Sequence, residues 1–196
     1  MQKIISLFQR NYDGDRLVRD EVVPGAEWVL AGEGEPTRKW DGTCVKIEAG
    51  VMWKRYEVKK GKTPPPGFVP ANDVDPNTGK QQGWLPVSDG PEDRWYREAL
   101  ENNDCTASDF RDGTYELVGP KVQGNPDSFT EHTLVSHGSS WLNDGSWPYQ
   151  IPRTYDGIKQ WLSENDIEGI VWHHKDGRMV KIKAKDFGIR RGQVAR

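Results

Sequence analysis

Lys39 and Asp41 stand two residues apart in Arg38-Lys39-Trp40-Asp41-Gly42-Thr43, closed by a glycine and set between segments rich in β-forming residues. In a strand, alternate side chains share a face, and the glycine ends or bends the strand near Asp41. Lys39 is then expected at the entrance to a cleft, with Asp41 close enough to influence it. A lysine amine becomes a covalent nucleophile once desolvation or cationic neighbours favour its neutral form. The same residues also describe an ordinary surface turn with a solvated lysine. What separates the two readings is the rest of the chain.

Three further stretches carry chemistry-bearing residues. In Thr114-Tyr115-Glu116-Leu117-Val118, Tyr115 and Leu117 alternate against Glu116, which predicts a strand with Glu116 facing away from the core. Glu168 leads into Gly169-Ile170-Val171. Lys181, Lys183 and Lys185 alternate with Val180, Ile182 and Ala184, which predicts a strand with lysines on one face. A row of lysines is unfavourable unless water or anions face it, so it reads either as a solvated edge or as a phosphate grip.

Taken in order, these stretches resemble the motifs of the covalent nucleotidyltransferases, which comprise DNA ligases, RNA ligases and capping enzymes. Lys39-Trp40-Asp41-Gly42 is similar to their first motif and Tyr115-Glu116-Leu117-Val118-Gly119 to a middle one. Glu168-Gly169-Ile170-Val171 and Lys181-Ile182-Lys183 are similar to the fourth and fifth. More closely, the chain resembles ATP-dependent RNA ligases related to the type 1 ligase of T-even phage. That resemblance includes the segments 64–70, 93–99 and 119–126 and runs from about residue 25 to about 192.

The resemblance implies an α+β nucleotidyltransferase fold, an ATP-grasp-like ligase adenylation domain with antiparallel sheets and flanking helices. It implies that Lys39 attacks the α-phosphorus of ATP and that the adenylyl group then passes to a 5′-phosphate on RNA. Attack by a 3′-hydroxyl would join the ends. Lys181 and Lys183 are expected to lower the Lys39 pKa by like-charge repulsion and to hold phosphates. Arg38 is expected to line the adenine pocket through side chain or backbone, and Arg55 to grip ribose or phosphate. Glu116 is expected to hydrogen-bond the ribose. Magnesium, or manganese in its place, is expected on Glu168, with Asp41 supporting its hydration. A capping-type transferase and a non-catalytic nucleic-acid binding domain are the alternatives. Cys44 stands where DNA ligases usually have an arginine, which weakens that variant.

The elements that must position these residues follow from composition. A chain of 196 residues suits a single domain, expected here over 1–196 without the oligonucleotide-binding barrel of DNA ligases. Nine Trp, six Tyr and five Phe supply buried area despite a hydrophobic content of 34%, and 21 Gly with 13 Pro predict many turns. The net charge of −3 excludes a globally basic binder, while Lys175 to Arg196 is locally basic. No run approaches a membrane span, and a cytoplasmic protein with reduced Cys44 and Cys105 is the default. His132 and His137 lack the neighbours that would make them metal ligands, and the cysteines define no zinc spacing.

Along the chain, residues 1–10 predict an early strand, and 43–48 with 51–58 a hairpin turning at Ala49-Gly50. Residues 59–91 read as an irregular, packed excursion. Residues 91–101 predict a short helix opening at Pro91, with another helical turn at 107–110. Residues 130–137 predict a strand. Thr154–Asn165 is the clearest helix, capped by Thr154. A strand from Ile167 to Trp172 then turns at Asp176-Gly177 into the lysine-bearing strand.

Overall fold

The computed structural model describes residues 4–102, 104–139 and 151–192. In chain order the elements are β1 (Ile5–Ser6), β2 (Phe8–Arg10), β3 (Val18–Val22), α1 (Glu27–Leu30), β4 (Glu35–Lys39), β5 (Thr43–Glu48) and β6 (Val51–Val58). There follow β7 (Val69–Pro70), β8 (Gln81–Pro86), α2 (Arg94–Glu101), β9 (Gly113–Val118), β10 (Thr133–Ser136), α3 (Tyr155–Glu164), β11 (Gly169–His173) and β12 (Met179–Lys183). The protein is α+β, with mostly antiparallel pairing. It forms two compact units, one of the described residues of Asp41–His137 and one of residues 4–40 with 138–139 and 151–192. No helix among the described residues is long and apolar enough to cross a membrane.

The Asp41–His137 unit is a six-stranded antiparallel sheet in the order β10-β9-β5-β6-β8-β7. Period-two alternation sends Val45, Ile47, Met52, Tyr115 and Leu117 to one face, where Ala99 of α2 and Val122 join them in the core. Cys44, Lys46, Trp53, Arg55 and Glu116 take the opposite parity. The β5–β6 turn works as the sequence predicts. Ala49 and Gly50 both have positive φ (50° and 73°), as a right-twisting two-residue hairpin requires. Asp93, just before α2, is buried and accepts from the Ser88 backbone N–H at 2.8 Å and from Lys54. That ties the start of the helix to β6.

One expectation needs correction. Residues 59–91 are not irregular throughout, because Val69–Pro70 and Gln81–Pro86 are strands and the second lies inside the sheet. Gln81-Gln82-Gly83 carries little strand propensity. Its conformation comes from full pairing with β6. Gly83 marks the close approach, since a Cβ there would lie 2.3 Å from the Phe68 ring.

The other unit holds a four-stranded sheet ordered β1-β12-β11-β4, with β1 parallel to β12, and a separate β2–β3 hairpin. The predicted first strand is therefore two. Leu7 separates them, its N–H donating to the Lys181 carbonyl at 2.8 Å and its carbonyl accepting from Val23 at 3.0 Å. Residues 1–3 of that prediction lie outside the described residues. Phe8, Ile158, Leu162, Ile170, Trp172 and Ile182 form the core, with α3 supplying the two helical residues among them. Thr154 caps α3 as expected, its Oγ1 accepting from the Gly157 N–H at 3.2 Å. Asn165 ends the helix through its side chain, Nδ2 donating to the Trp161 carbonyl at 2.7 Å, rather than through a left-handed backbone. Arg153 donates to the carbonyls of Val29, Glu33 and Gly34, which fixes the chain as it enters β4.

These contacts set two stability expectations for denaturant unfolding. Leu162→Ala removes a fully buried side chain and should cost about 2–5 kcal/mol. Thr154→Ala loses the cap and should cost about 1 kcal/mol. An unchanged midpoint in Thr154→Ala would show that the cap carries no stability.

Candidate active site

The register of the four-stranded sheet brings two predicted residues into one row, with a third beside it. Lys39 ends β4 opposite Gly169, and Gly169 stands opposite Lys183 on β12. Both lysines thus flank a position with no side chain. A Cβ at Gly169 would lie 2.1 Å from the Ile182 carbonyl oxygen, so glycine alone lets the strands close here. Glu168, the residue before it, turns its carboxylate between the two amines. It is 8% exposed. Lys39 Nζ lies 2.5 Å from Glu168 Oε2, and Lys183 Nζ donates to Oε1. Burial acts to raise the Glu168 carboxyl, but the charges and hydrogen bonds of Lys39 and Lys183 outweigh it and hold it below the usual carboxylate range.

Lys181 lies two residues along β12, on the same face. It is held well down, at about 8, by burial first and then by the charges of Lys183 and Lys39. Like-charge repulsion is thus felt at Lys181, and the Lys39 amine is paired with Glu168. The lysine row is not a solvated edge, because β12 lies between β1 and β11. Lys185 leaves the row in a 3-10 turn at Ala184–Phe187. Asp186 in that turn is buried, accepts the Lys183 N–H at 3.0 Å and pairs with Arg10. A cavity of about 840 Å³ opens here, lined among others by Ser6, Arg10, Arg16, Lys181, Lys183 and Lys185. Arg10 and Asp186 gave no motif signal, since their pairing spans most of the chain.

The Asp41–His137 unit holds Asp41, Arg55 and Glu116. Glu116 is 7% exposed, so it neither faces solvent nor joins the apolar core. Its Oε1 accepts the Gly42 N–H at 3.1 Å, and its Oε2 lies 2.9 Å from His137 Nε2. A Cβ at Gly42 would lie 2.2 Å from the Leu117 carbonyl oxygen, which explains the glycine after Asp41. The Asp41 N–H donates to Asp127 Oδ2 at 3.3 Å. The Arg55 guanidinium lies 5.0 Å from the Trp84 ring centroid, and burial lowers its pKa. His132 is committed to structure, bonded to Glu98 and to the Lys121 N–H and stacked on Trp95.

Arg38 is not brought into the lysine cluster. It alternates to the other face of β4 and stacks its guanidinium 3.9 Å from the Trp40 ring centroid. A part for it beside Lys39 would run through its backbone.

Comparison with known proteins bears on this geometry. The family model described as RNA ligase 1 matches residues 90–195. This chain belongs to the RNA ligase 1 family. The match includes Glu116, Glu168, Lys181 and Lys183 and begins after Lys39. Curated RNA ligase 1 proteins are similar at low identity. The orangutan protein (Pongo abelii) is 30% identical over 99 residues, covering 46% of this chain and 29% of its own length. The mouse protein (Mus musculus) is 23% identical over 166 residues, covering 65% of this chain and 49% of its own. The rat protein (Rattus norvegicus) is 27% identical over 169 residues, covering 72% and 48%. The chain thus spans at most about half the length of these RNA ligase 1 relatives.

The depressed Lys181 gives a pH signature. In the unfolded chain its amine returns to the ordinary value of 10.5, so between about 8 and 10.5 the unfolded state binds more protons than the folded one. Folding stability should therefore gain a contribution as pH rises through that window. Lys181→Met should remove that rise in chemical unfolding measured across the window. A variant whose slope matches the parent protein would show that Lys181 titrates normally.

Proposed function

We propose that the chain is the nucleotidyl-transfer part of an ATP-dependent RNA ligase, adenylylated on Lys39. The observation that carries this reading is the row Lys39–Gly169–Lys183 with Glu168 held between the two amines. A buried carboxylate with two partner ammonium groups, and a third lysine held near 8, is an unusual concentration of charge for a merely structural sheet end. Membership of the RNA ligase 1 family supports the RNA end of the proposal.

In the proposed reaction the neutral Lys39 amine attacks the α-phosphorus of ATP. A nitrogen–phosphorus bond forms as the bond to pyrophosphate breaks, and Glu168, 2.5 Å from Nζ, is placed to take the proton released. Lys181 and Lys183 stabilise charge developing on the phosphoryl oxygens. The basic lining of the adjacent cavity suits the remaining phosphates. The adenylyl group then passes to the 5′-phosphate of an RNA, and attack by a 3′-hydroxyl joins the ends and releases AMP. Arg55 and Glu116 are the proposed ribose or phosphate contacts.

The donor set around Glu168 bears on the metal. Among the described residues, no group of three His, Cys, Asp or Glu side chains converges on Glu168. A hard cation such as magnesium, or manganese, takes most of its oxygens from phosphates and water and needs only one or two carboxylates. Glu168 would hold it, with Asp41 supporting its water shell, and its chemistry would be charge neutralisation on the phosphates.

Intact-protein mass after incubation with ATP and magnesium, on protein first stripped of any pre-bound adenylyl group, tests the proposal. A gain of one adenylyl mass is expected, absent in Lys39→Ala. Lys183→Ala should slow adduct formation by roughly 10²–10³-fold. A guanylyl gain from GTP in place of the adenylyl gain would move the assignment to a capping-type transferase. No adduct with either nucleotide would overturn the covalent mechanism.

A further inference from the structure

We propose that Cys44, Glu116 and His137 form a binding site for a thiophilic divalent cation, zinc above all, and that zinc there competes with nucleotide for Glu116. The site stands on the geometry of the Asp41–His137 unit. The competition rests on the ribose-binding reading of Glu116 given above.

One ligand atom from each of the three side chains lies within 4.8 Å of the others. The sheet enforces this. Cys44 on β5 stands directly opposite Glu116 on β9, with both side chains on the face away from the core. His137 follows β10, whose pairing with β9 continues as the His137 N–H donates to the Thr114 carbonyl at 3.1 Å. A second bond fixes the ring, Nδ1 lying 3.0 Å from Thr114 Oγ1. Nε2 is thereby aimed at Glu116 Oε2, 2.9 Å away.

That arrangement has the chemistry of a metal site. A ligating histidine usually has its other ring nitrogen held by a hydrogen-bonding neighbour, the part Thr114 plays here. Gly42 occupies Oε1 of Glu116, so Oε2 is the oxygen directed at the imidazole. A lone pair on Nε2 and a carboxylate oxygen repel at this distance unless a positive charge lies between them. A proton supplies it, and a cation can replace that proton. Arg55 is a positively charged neighbour of Cys44, and cationic neighbours of a cysteine favour the thiolate that ligates metals. One sulfur, one nitrogen and one oxygen leave a fourth position for water, the pattern of open zinc sites. Thiolate and imidazole select zinc over magnesium, so the site does not duplicate the metal proposed at Glu168. Ligand atoms around a tetrahedral zinc stand roughly 3–4 Å apart, given metal–ligand bonds of about 2.0–2.3 Å. Sequence reading missed it because Cys44 and His137 lie on distant segments without a short ligand spacing.

The test uses the full chain, stripped with a chelator and titrated with cobalt(II) as an optical probe and then with zinc. One equivalent of cobalt should bind with a thiolate charge-transfer absorption, and zinc should displace it. Cys44→Ser should abolish the absorption, while Cys105→Ser keeps it. His137→Gln should weaken zinc at least about tenfold. Thermal melts with chelator present establish that each variant is folded. A band that survives Cys44→Ser, or no cobalt binding, overturns the site. Zinc at one equivalent should also slow formation of the Lys39 adduct in magnesium and ATP, and Cys44→Ser should relieve that slowing. Zinc bound at the cluster with adduct formation unchanged overturns the competition. Adduct formation with no zinc bound overturns the site and leaves the proposed function standing. Zinc bound with no adduct under any condition overturns the proposed function and, with it, the competition.

Discussion

A carboxylate buried at the start of β11 is tenable only because two ammonium groups share it. Glu168 is nearly inaccessible, and isolated ionised carboxylates are not tolerated in such places. Lys39 and Lys183 each take one of its oxygens, and removing either would leave charge uncompensated. The strands on both sides of β11 are thus bound to it by charge as well as by the ladder. Asp186 extends the arrangement, holding the Lys183 backbone and Arg10 together. A pair of lysines facing one carboxylate is also a store of positive charge that an incoming phosphate can reassign.

Two glycines make the carboxylates usable. Gly169 lets backbones meet beside Glu168, and Gly42 brings its N–H to Glu116. Neither has a left-handed backbone, so their role is space rather than conformational freedom. In both cases the glycine carries the geometry and the adjacent or opposed acid carries the charge. This is a physical reason for finding glycine after Asp41 and after Glu168.

Much of this was legible in the sequence. The hairpin at Ala49-Gly50, the capped helix α3 and the inward Val180 and Ile182 follow local rules of turn chemistry, capping and period. Lys181 and Lys183 were readable as a row because alternation places them. Alternation alone left open whether the row is interior, which the motif resemblance favoured and pairing with β1 and β11 decides. Strand β8 was missed for the same reason, with Gln81-Gln82-Gly83 taking its conformation from neighbours rather than from propensity. Arg38 and Lys39 are neighbours in sequence but lie on opposite faces of β4, because side chains alternate along a strand. The partnerships of Glu116 with His137 and of Arg10 with Asp186 join distant segments, and no local pattern encodes them.

The sheet that carries Lys39 and Glu168 is assembled from both ends of the described chain. Its outer strands β1 and β4 come from the first 40 residues, and its inner strands β11 and β12 from beyond residue 168. The segment matched by the family model starts at residue 90. A fragment cut there keeps β11 and β12 but strips both outer neighbours, exposing two unsatisfied edges and leaving Glu168 without Lys39. Such a piece would behave as an adhesive β-hairpin, prone to pair with itself. The boundary at which the family is recognised is therefore not a boundary at which the protein can be divided.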